Sequence, residues 1–432
     1  MTIDTNRARG TLLGLACGDA LGRPVEFRSR EQIEAEHGRV TEMLGHGTHG
    51  QPAGTITDDT ELALRIARSL VERGGFDPDD VADRFVEWYE SGPFDIGITT
   101  SKSLRRIQQG EPWDEAGQSV WEASREGHNA GNGSLMRCAP HALAFEHNRE
   151  LLQEVSRDSS RITHADPRCQ YGCGALNLVL SYLATDHSDS VERALADLND
   201  DAPAEVVAVL GRTPDSVGED DLSNSGYVIH TLEAGLYHGL TADTAEDAVV
   251  DAVMMGGDTD TIAAVAGAVA GARFGADALP DRWIEALGVA DEMGELATTL
   301  GSMVTPPKPV SLPPGQEQTE CAICGRGFEV HDPEFASRYA NLVCEHCDDR
   351  AVTGEEERPE HGAEYVGEDH VSDREDGTKV IKMAPDVGDN PVYVDGIKCW
   401  RRYRFGGWIT RRDDHDCDSL EEFQYTHRGL SP

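Results

Sequence analysis

Positive charge is scarce in this chain. Its 432 residues hold 38 Lys and Arg against 79 Asp and Glu, a formal net charge of −41. That balance disfavours general, non-specific binding to nucleic acid, which needs clustered cations against phosphates. The acidic excess is spread along the chain rather than gathered in a tail, a composition suited to a high-salt cytoplasm. There the self-repulsion is screened, since the Debye length is only about 3 Å at 1 M salt. Long apolar runs are missing too. The longest, Ile262 to Ala272, is roughly half of what a bilayer span needs. No charged-then-apolar leader opens the sequence, so no secretory signal is expected and the chain reads as soluble, cytoplasmic and free of membrane partners. In that compartment ten cysteines argue for metal or buried thiols rather than a disulfide framework.

What the chain does carry is glycine at regular intervals. Gly10, Gly14, Gly18 and Gly22 recur every fourth residue, as do Gly267, Gly271 and Gly275. On a helix this spacing lines them along one face. Glycine inside a helix costs about 1 kcal/mol against alanine, so both stripes imply backbones that come unusually close. Both helices are expected in the crowded centre of an all-helical domain, with each other as candidate partners.

The second signal is oxygen. Met254-Met255-Gly256-Gly257-Asp258-Thr259-Asp260-Thr261 places carboxylates and hydroxyls after a glycine pair and at a helix start. Asp260 or Thr261 can cap that helix, while Asp258 and Asp260 are spaced to share one centre. Thr57-Asp58-Asp59 repeats the pattern before an amphipathic helix that Gly74-Gly75 ends. One such cluster is explained equally well as a cap or a metal site. Two, near opposite ends of one domain, favour a two-metal site with hard, oxygen-preferring cations. Glu26, beside Val25 and Phe27, is a candidate acid/base. Asp95 sits in Gly-Pro-Phe-Asp-Ile-Gly. Gly131-Asn132-Gly133-Ser134 is a candidate phosphate cradle. His164 precedes a helix as a cap or core residue, and Tyr227 opens another as a core residue.

In order along the chain, GLACGDALGRPVEF, TDDTELAL, GPFDIG, GNGSLMR, ITHADP, GYV and MGGDTDTIAAVAGAVAGARFG resemble the ADP-ribosylglycohydrolase family. The resemblance covers residues 1–305 and no metal-ligand position is substituted. It implies an orthogonal all-α fold and two Mg²⁺ (or Mn²⁺) held by Thr57, Asp58, Asp59, Asp258, Asp260 and Thr261. It further implies Glu26 as the catalytic glutamate and Asp95 as a carboxylate near the metals. Gly131, Asn132, Gly133 and Ser134 would lie along phosphates and ribose, with His164 and Tyr227 near the nucleotide. The substrate would be an ADP-ribosylated protein or related conjugate, cleaved at a glycosidic bond. Two other functions share these residues: an ADP-ribose-binding module without turnover, and a two-metal hydrolase of another nucleotide-derived substrate. Glu26 and the six ligand positions favour catalysis.

The remainder is different in kind. A Pro-rich linker (306–320) leads to Cys321-x2-Cys324-x19-Cys344-x2-Cys347, the spacing of one structural Zn²⁺ in a ribbon- or treble-clef-like module (321–350). Residues 351–375 are acidic and read as a flexible connector. Residues 376–432 read as a small β-rich region, its strands joined by Gly406-Gly407. Lys398, Arg401, Arg402, Arg404, Arg411 and Arg412 alternate with aromatics there. They are candidates for contact with an acidic or nucleic-acid partner (398–412), or one wet face of a sheet paired with nearby acids. Cys399, His415 and Cys417 make at most part of another metal site. Cys17, Cys138, Cys169 and Cys173 read as core thiols.

Overall fold

The computed structural model describes residues 3–125, 129–303, 318, 321–325, 341–355, 357–359, 371–373, 379–381, 389–404, 407–414, 416–420 and 422–423. The chain forms two compact units, Met1–Met303 and Val304–Pro432. The linker at 306–320 is almost wholly outside the described residues. So are most of the connector, Gly406 of the expected Gly-Gly hairpin, its neighbour Phe405, and His415.

The first unit is helical throughout. Its elements are α1 (Thr5–Gly22), α2 (Arg30–His37), α3 (Asp58–Arg73), α4 (Pro78–Glu90), α5 (Ile98–Gln108) and α6 (Trp113–Ala123). There follow α7 (Ala139–Ala144), α8 (Arg149–Arg161), α9 (Pro167–Ala184), α10 (Ser190–Asp197) and α11 (Ala204–Arg212). The last five are α12 (Val228–Thr241), α13 (Ala245–Met254), α14 (Thr259–Phe274), α15 (Asp281–Ala286) and α16 (Ala290–Ser302). Most of these helices are amphipathic, but α1 and α14 are buried on nearly all sides, as apolar patterning without a polar face requires.

The two glycine stripes meet. A β-carbon built on Gly14 would lie 2.1 Å from the Gly267 carbonyl oxygen, and one on Gly271 would lie 1.8 Å from that of Gly10. No side chain fits there, so α1 and α14 pack backbone to backbone. Gly275 differs from the expectation: it is where α14 stops, with φ 86° and its N–H on the Gly271 carbonyl. Also packed on α14 are α12 and α13, making it the axis of the unit. No helix among the described residues is long and apolar enough to cross a membrane. The cysteines of this unit, Cys17, Cys138, Cys169 and Cys173, are buried free thiols.

In the second unit α17 (Glu345–Asp348) follows the second cysteine pair. A two-stranded ladder joins β1 (Val371–Asp373) to β2 (Lys379–Ile381). An antiparallel sheet in the order β3 (Val392–Val394), β4 (Ile397–Arg404), β5 (Gly407–Arg412) completes it. The sequence reading separates a cysteine module from a β-rich region; here they share one core. Cys321, Ile323, Cys324, Cys347 and Ala351 cluster with Val392, Val394 and Cys399. Val352 bridges to Tyr393 on one sheet edge and Leu342 to Arg411 on the other. Val352 therefore pairs with the sheet, inside the stretch expected to be a connector. Neither segment buries enough apolar surface alone, and pooling them supplies a core.

Candidate active site

Two helix starts and two loops build the site. At the start of α3, Thr57 is the N-cap and accepts the Asp59 N–H. Two further amides go to α1: buried Asp19 accepts the N–H of Thr57 at 3.0 Å, that of Thr60 at 3.2 Å and the Thr60 hydroxyl at 2.5 Å. With the cap supplied by Thr57 and Asp19, the carboxylates of Asp58 and Asp59 are not needed for it. Both are buried, and Asp59 Oδ1 has no hydrogen-bond partner among the described residues. A buried carboxylate oxygen left unpaired is costly unless a cation completes it.

At the start of α14, Gly256 and Gly257 turn at φ 72° and 76°. Asp258 holds the N-cap position but makes no side-chain cap bond. Asp260 and Thr261, expected as caps, lie inside the first turn instead, because the helix already begins at Thr259. Asp258 Oδ2 accepts the Asn132 side-chain amide at 2.7 Å. Oxygens of Glu26, Asp258 and Asp260 lie within 4.8 Å of one another. A second group, Glu26, His49 and Asp95, is equally close. Glu26 thus belongs to both. Asp58 Oδ2 accepts the Gly97 N–H at 3.4 Å, which brings the Asp95 loop against α3.

Burial, then the neighbouring carboxylates, push Asp58, Asp59 and Asp260 well above the ordinary carboxylate range. Burial also raises Asp258 and Asp95. Glu26 is pushed up to about 9 by burial first, then by Asp95, Asp258 and Asp58. So many buried anions cannot all ionise side by side without cations. The all-oxygen donor set, the orphan Asp59 oxygen and the convergence on Glu26 fit hard divalent ions such as Mg²⁺ or Mn²⁺.

The glycine-rich loop adjoins this centre. Gly131 bridges to Tyr227, and Asn132 donates to both Thr231 and Asp258. A β-carbon at Gly133 would sit 2.8 Å from the His164 ring. The Ser134 side chain turns inward: it is 1% exposed and accepts from Ser160 at 2.8 Å. His164 is buried against Thr163 and held down to about 3 by burial, so it is neutral. Tyr227 is half-buried, its hydroxyl accepting from Arg168 at 3.2 Å.

Three residues escape a reading of the sequence. Asp19 is visible only as part of a glycine stripe. His49 lies in a loop without periodicity, yet its Nε2 is 2.5 Å from Glu26 Oε2 and 3.8 Å from Asp95 Oδ2. Arg168 places a guanidinium beside the glycine-rich loop, reaching Asp166, Tyr227 and Asn129. Only for Arg168 was there a local signal, its position in the first turn of a helix capped by Asp166.

In the second unit Cys321, Cys324, Cys344 and Cys347 converge within 4.8 Å. Cys324 Sγ and Cys344 Sγ are 3.8 Å apart. A tetrahedron with Zn–S bonds of about 2.3 Å has edges of about 3.8 Å, so the four thiols fit Zn²⁺. Cys321 Sγ also accepts the N–H groups of Ile323 and Cys344, which stabilises thiolate charge. The basic residues expected to meet a partner are largely engaged within the unit. Arg401 pairs with Asp348, Lys398 with Asp416, Arg412 with Asp414, and Arg411 lies over Phe423. Arg401, Lys398 and Arg412 thus pair with nearby acids, the arrangement expected of one wet face of a small sheet.

Comparison with known proteins agrees with this geometry. Residues 1–308 match the family model described as ADP-ribosylglycohydrolase. The chain is 34% identical over 306 residues to the ADP-ribosylarginine hydrolase Tri1 of Pseudomonas putida (strain GB-1), covering 68% of this chain and 78% of that protein. It is 32% identical over 289 residues to the ADP-ribosyl-[dinitrogen reductase] glycohydrolase of Rhodospirillum rubrum, covering 66% and 92%. A solved structure described as an ADP-ribosylglycohydrolase-related protein complex is 35% identical with a TM-score of 0.59, covering 69% of this chain and 98% of its own.

Proposed function

The chain belongs to the ADP-ribosylglycohydrolase family, and from that premise we propose that it hydrolyses the N-glycosidic bond between ADP-ribose and an arginine side chain of a modified protein. The observation that carries this reading is Glu26, whose carboxylate is shared between the Asp258–Asp260 pair and the His49–Asp95 pair. Relatives named for ADP-ribosylarginine and for ADP-ribosylated dinitrogen reductase support the arginine linkage and a protein substrate.

In this reading Thr57, Asp58, Asp59, Asp258, Asp260 and Thr261 hold two Mg²⁺ or Mn²⁺. When bound, such ions orient ribose hydroxyls and acidify a water. Glu26 takes a proton from the attacking water and returns it to the departing guanidine nitrogen. Water thereby adds across the C1–N bond to give ADP-ribose and free arginine, through an oxocarbenium-like state. His49 holds the Glu26 carboxylate on its other side, with Asp95 beside the His49 ring. Asn132 ties the glycine-rich loop to Asp258, and Arg168 offers positive charge near the pyrophosphate. The four cysteines hold a structural Zn²⁺ in the second unit.

The test is ADP-ribose release from arginine-linked and serine-linked conjugates in concentrated salt, with Mg²⁺, Mn²⁺ or chelator. Metal-dependent release from the arginine conjugate is expected. Tight ADP-ribose binding with no turnover under any of these conditions would overturn the hydrolase reading.

A further inference from the structure

A few large apolar side chains are left exposed in this acidic chain. Among the described residues the exposed ones are Phe27, Phe94, Ile98 and Val207. The first three each adjoin the acidic centre. Phe27 follows Glu26, Phe94 precedes Asp95, and Ile98 follows Gly97, whose N–H reaches Asp58. Phe94 also sets its ring 5.6 Å from that of His49.

Phe27 is the most telling. It is 73% exposed and has φ 63°, a left-handed conformation that a bulky L-residue seldom adopts. The conformation is imposed by two bonds to the α14 turn: Phe27 N–H to Gly257 O at 2.7 Å, and Gly257 N–H to Arg28 O at 2.8 Å. Glycine or asparagine would satisfy that backbone with less strain. Packing gives the phenyl ring no role, because most of its surface faces water. Strain held at the edge of a site is the kind that ligand contact explains.

We propose that Phe27, Phe94 and Ile98 form a docking rim for the polypeptide that carries the ADP-ribose, gripping a segment with basic and apolar residues beside the modified arginine. This rests on the hydrolase reading above and adds what holds the protein side of the substrate. Charge complementarity selects the occupant. The rim stands beside Glu26 and Asp95, close enough that a cationic side chain seated on it feels their charge even where concentrated salt screens longer-range fields, while an anionic one is repelled. Its arginine or lysine side chains can lie on the Phe27 and Phe94 rings. The pyrophosphate, by contrast, needs N–H donors, and those belong to the glycine-rich loop and Arg168.

The experiment compares two substrates of the full-length protein in Mn²⁺ and concentrated salt: a basic peptide ADP-ribosylated on one arginine, and free ADP-ribosylarginine. The variants are Phe27→Asn, which tolerates the positive φ, Ile98→Ser, and the two combined. For the peptide, the double variant is expected to raise KM about 10-fold at unchanged kcat, equivalent to about 1.4 kcal/mol. For free ADP-ribosylarginine both constants should stay within about 2-fold of wild type. A KM rise shared by both substrates would mean that the rim holds the nucleotide, and would overturn the proposal, as would an unchanged peptide KM. Wild-type protein inert toward both substrates would overturn the hydrolase reading and the rim with it.

Discussion

The carboxylate of Asp19, in the last turn of α1, accepts the backbone N–H of Thr57 at 3.0 Å. On the same helix, a β-carbon at Gly22 would sit 2.4 Å from the carbonyl oxygen of Thr259, beside Asp258 and Asp260. One helix therefore holds both acidic half-sites in register, α3 through a side chain and α14 through the absence of one.

Asp19→Ala should loosen the α3 half-site. It leaves the Thr57 and Thr60 N–H groups without their buried acceptor, a loss of roughly 1–3 kcal/mol. We expect Mn²⁺ affinity, followed by calorimetry, to fall at least 10-fold, and Asp19→Asn to recover part of it. Unchanged affinity in the alanine variant would contradict this role.

Gly18→Ala tests the other contact. Its β-carbon would lie 1.9 Å from the Ala263 carbonyl oxygen, so the helices must separate. Overpacking of this sort destabilises by about 1–3 kcal/mol or more. The melting temperature should drop by several degrees, whereas Gly211→Ala, where a β-carbon meets nothing within 4 Å, should not lower it.

Within the centre, Asp258→Ala should abolish metal-dependent turnover while the far-ultraviolet circular dichroism stays helical. Glu26→Gln should keep ADP-ribose and Mn²⁺ binding yet lose most of kcat, by roughly 10²-fold or more. Substantial turnover in Glu26→Gln would remove it from the proton transfer.

Cys344→Ser should eliminate the single zinc expected per chain by elemental analysis. The small core shared by the cysteines and β3–β4 should then unfold, read out by the fluorescence of Trp400, which is buried and bonded to Asp413. Retention of stoichiometric zinc would exclude the four-thiol site.

A pH test falls on His141. Its Nδ1 lies 2.9 Å from the Cys138 carbonyl oxygen and its buried Nε2 has no partner among the described residues, so the ring is neutral. Burial, reinforced by Arg137, holds it down to about 4 from 6.5. Between these values the unfolded chain binds a proton that the folded chain refuses, so stability falls as pH drops from about 6.5 to 4. The contribution is on the order of 3 kcal/mol across that window. Denaturant titrations of His141→Gln should show a correspondingly flatter pH dependence.

Sequence alone determined a good deal here, wherever a local pattern carries a physical demand. Glycine every fourth residue on two apolar helices already required backbone contact, and Gly14 does meet Gly267. The Cys321–Cys347 spacing already specified four convergent sulfurs. Thr57-Asp58-Asp59 and Asp258-x-Asp260 marked two acidic helix starts. Local pattern could not say which groups cap those helices: Asp19, distant in sequence, releases Asp58 and Asp59 from that task. Nor could it deliver His49 to Glu26, turn Ser134 into the core, or pair Arg401 with Asp348 and merge two expected modules into one. Each of these depends on residues far apart in the chain being brought within hydrogen-bond or ion-pair distance, and only tertiary packing sets such distances.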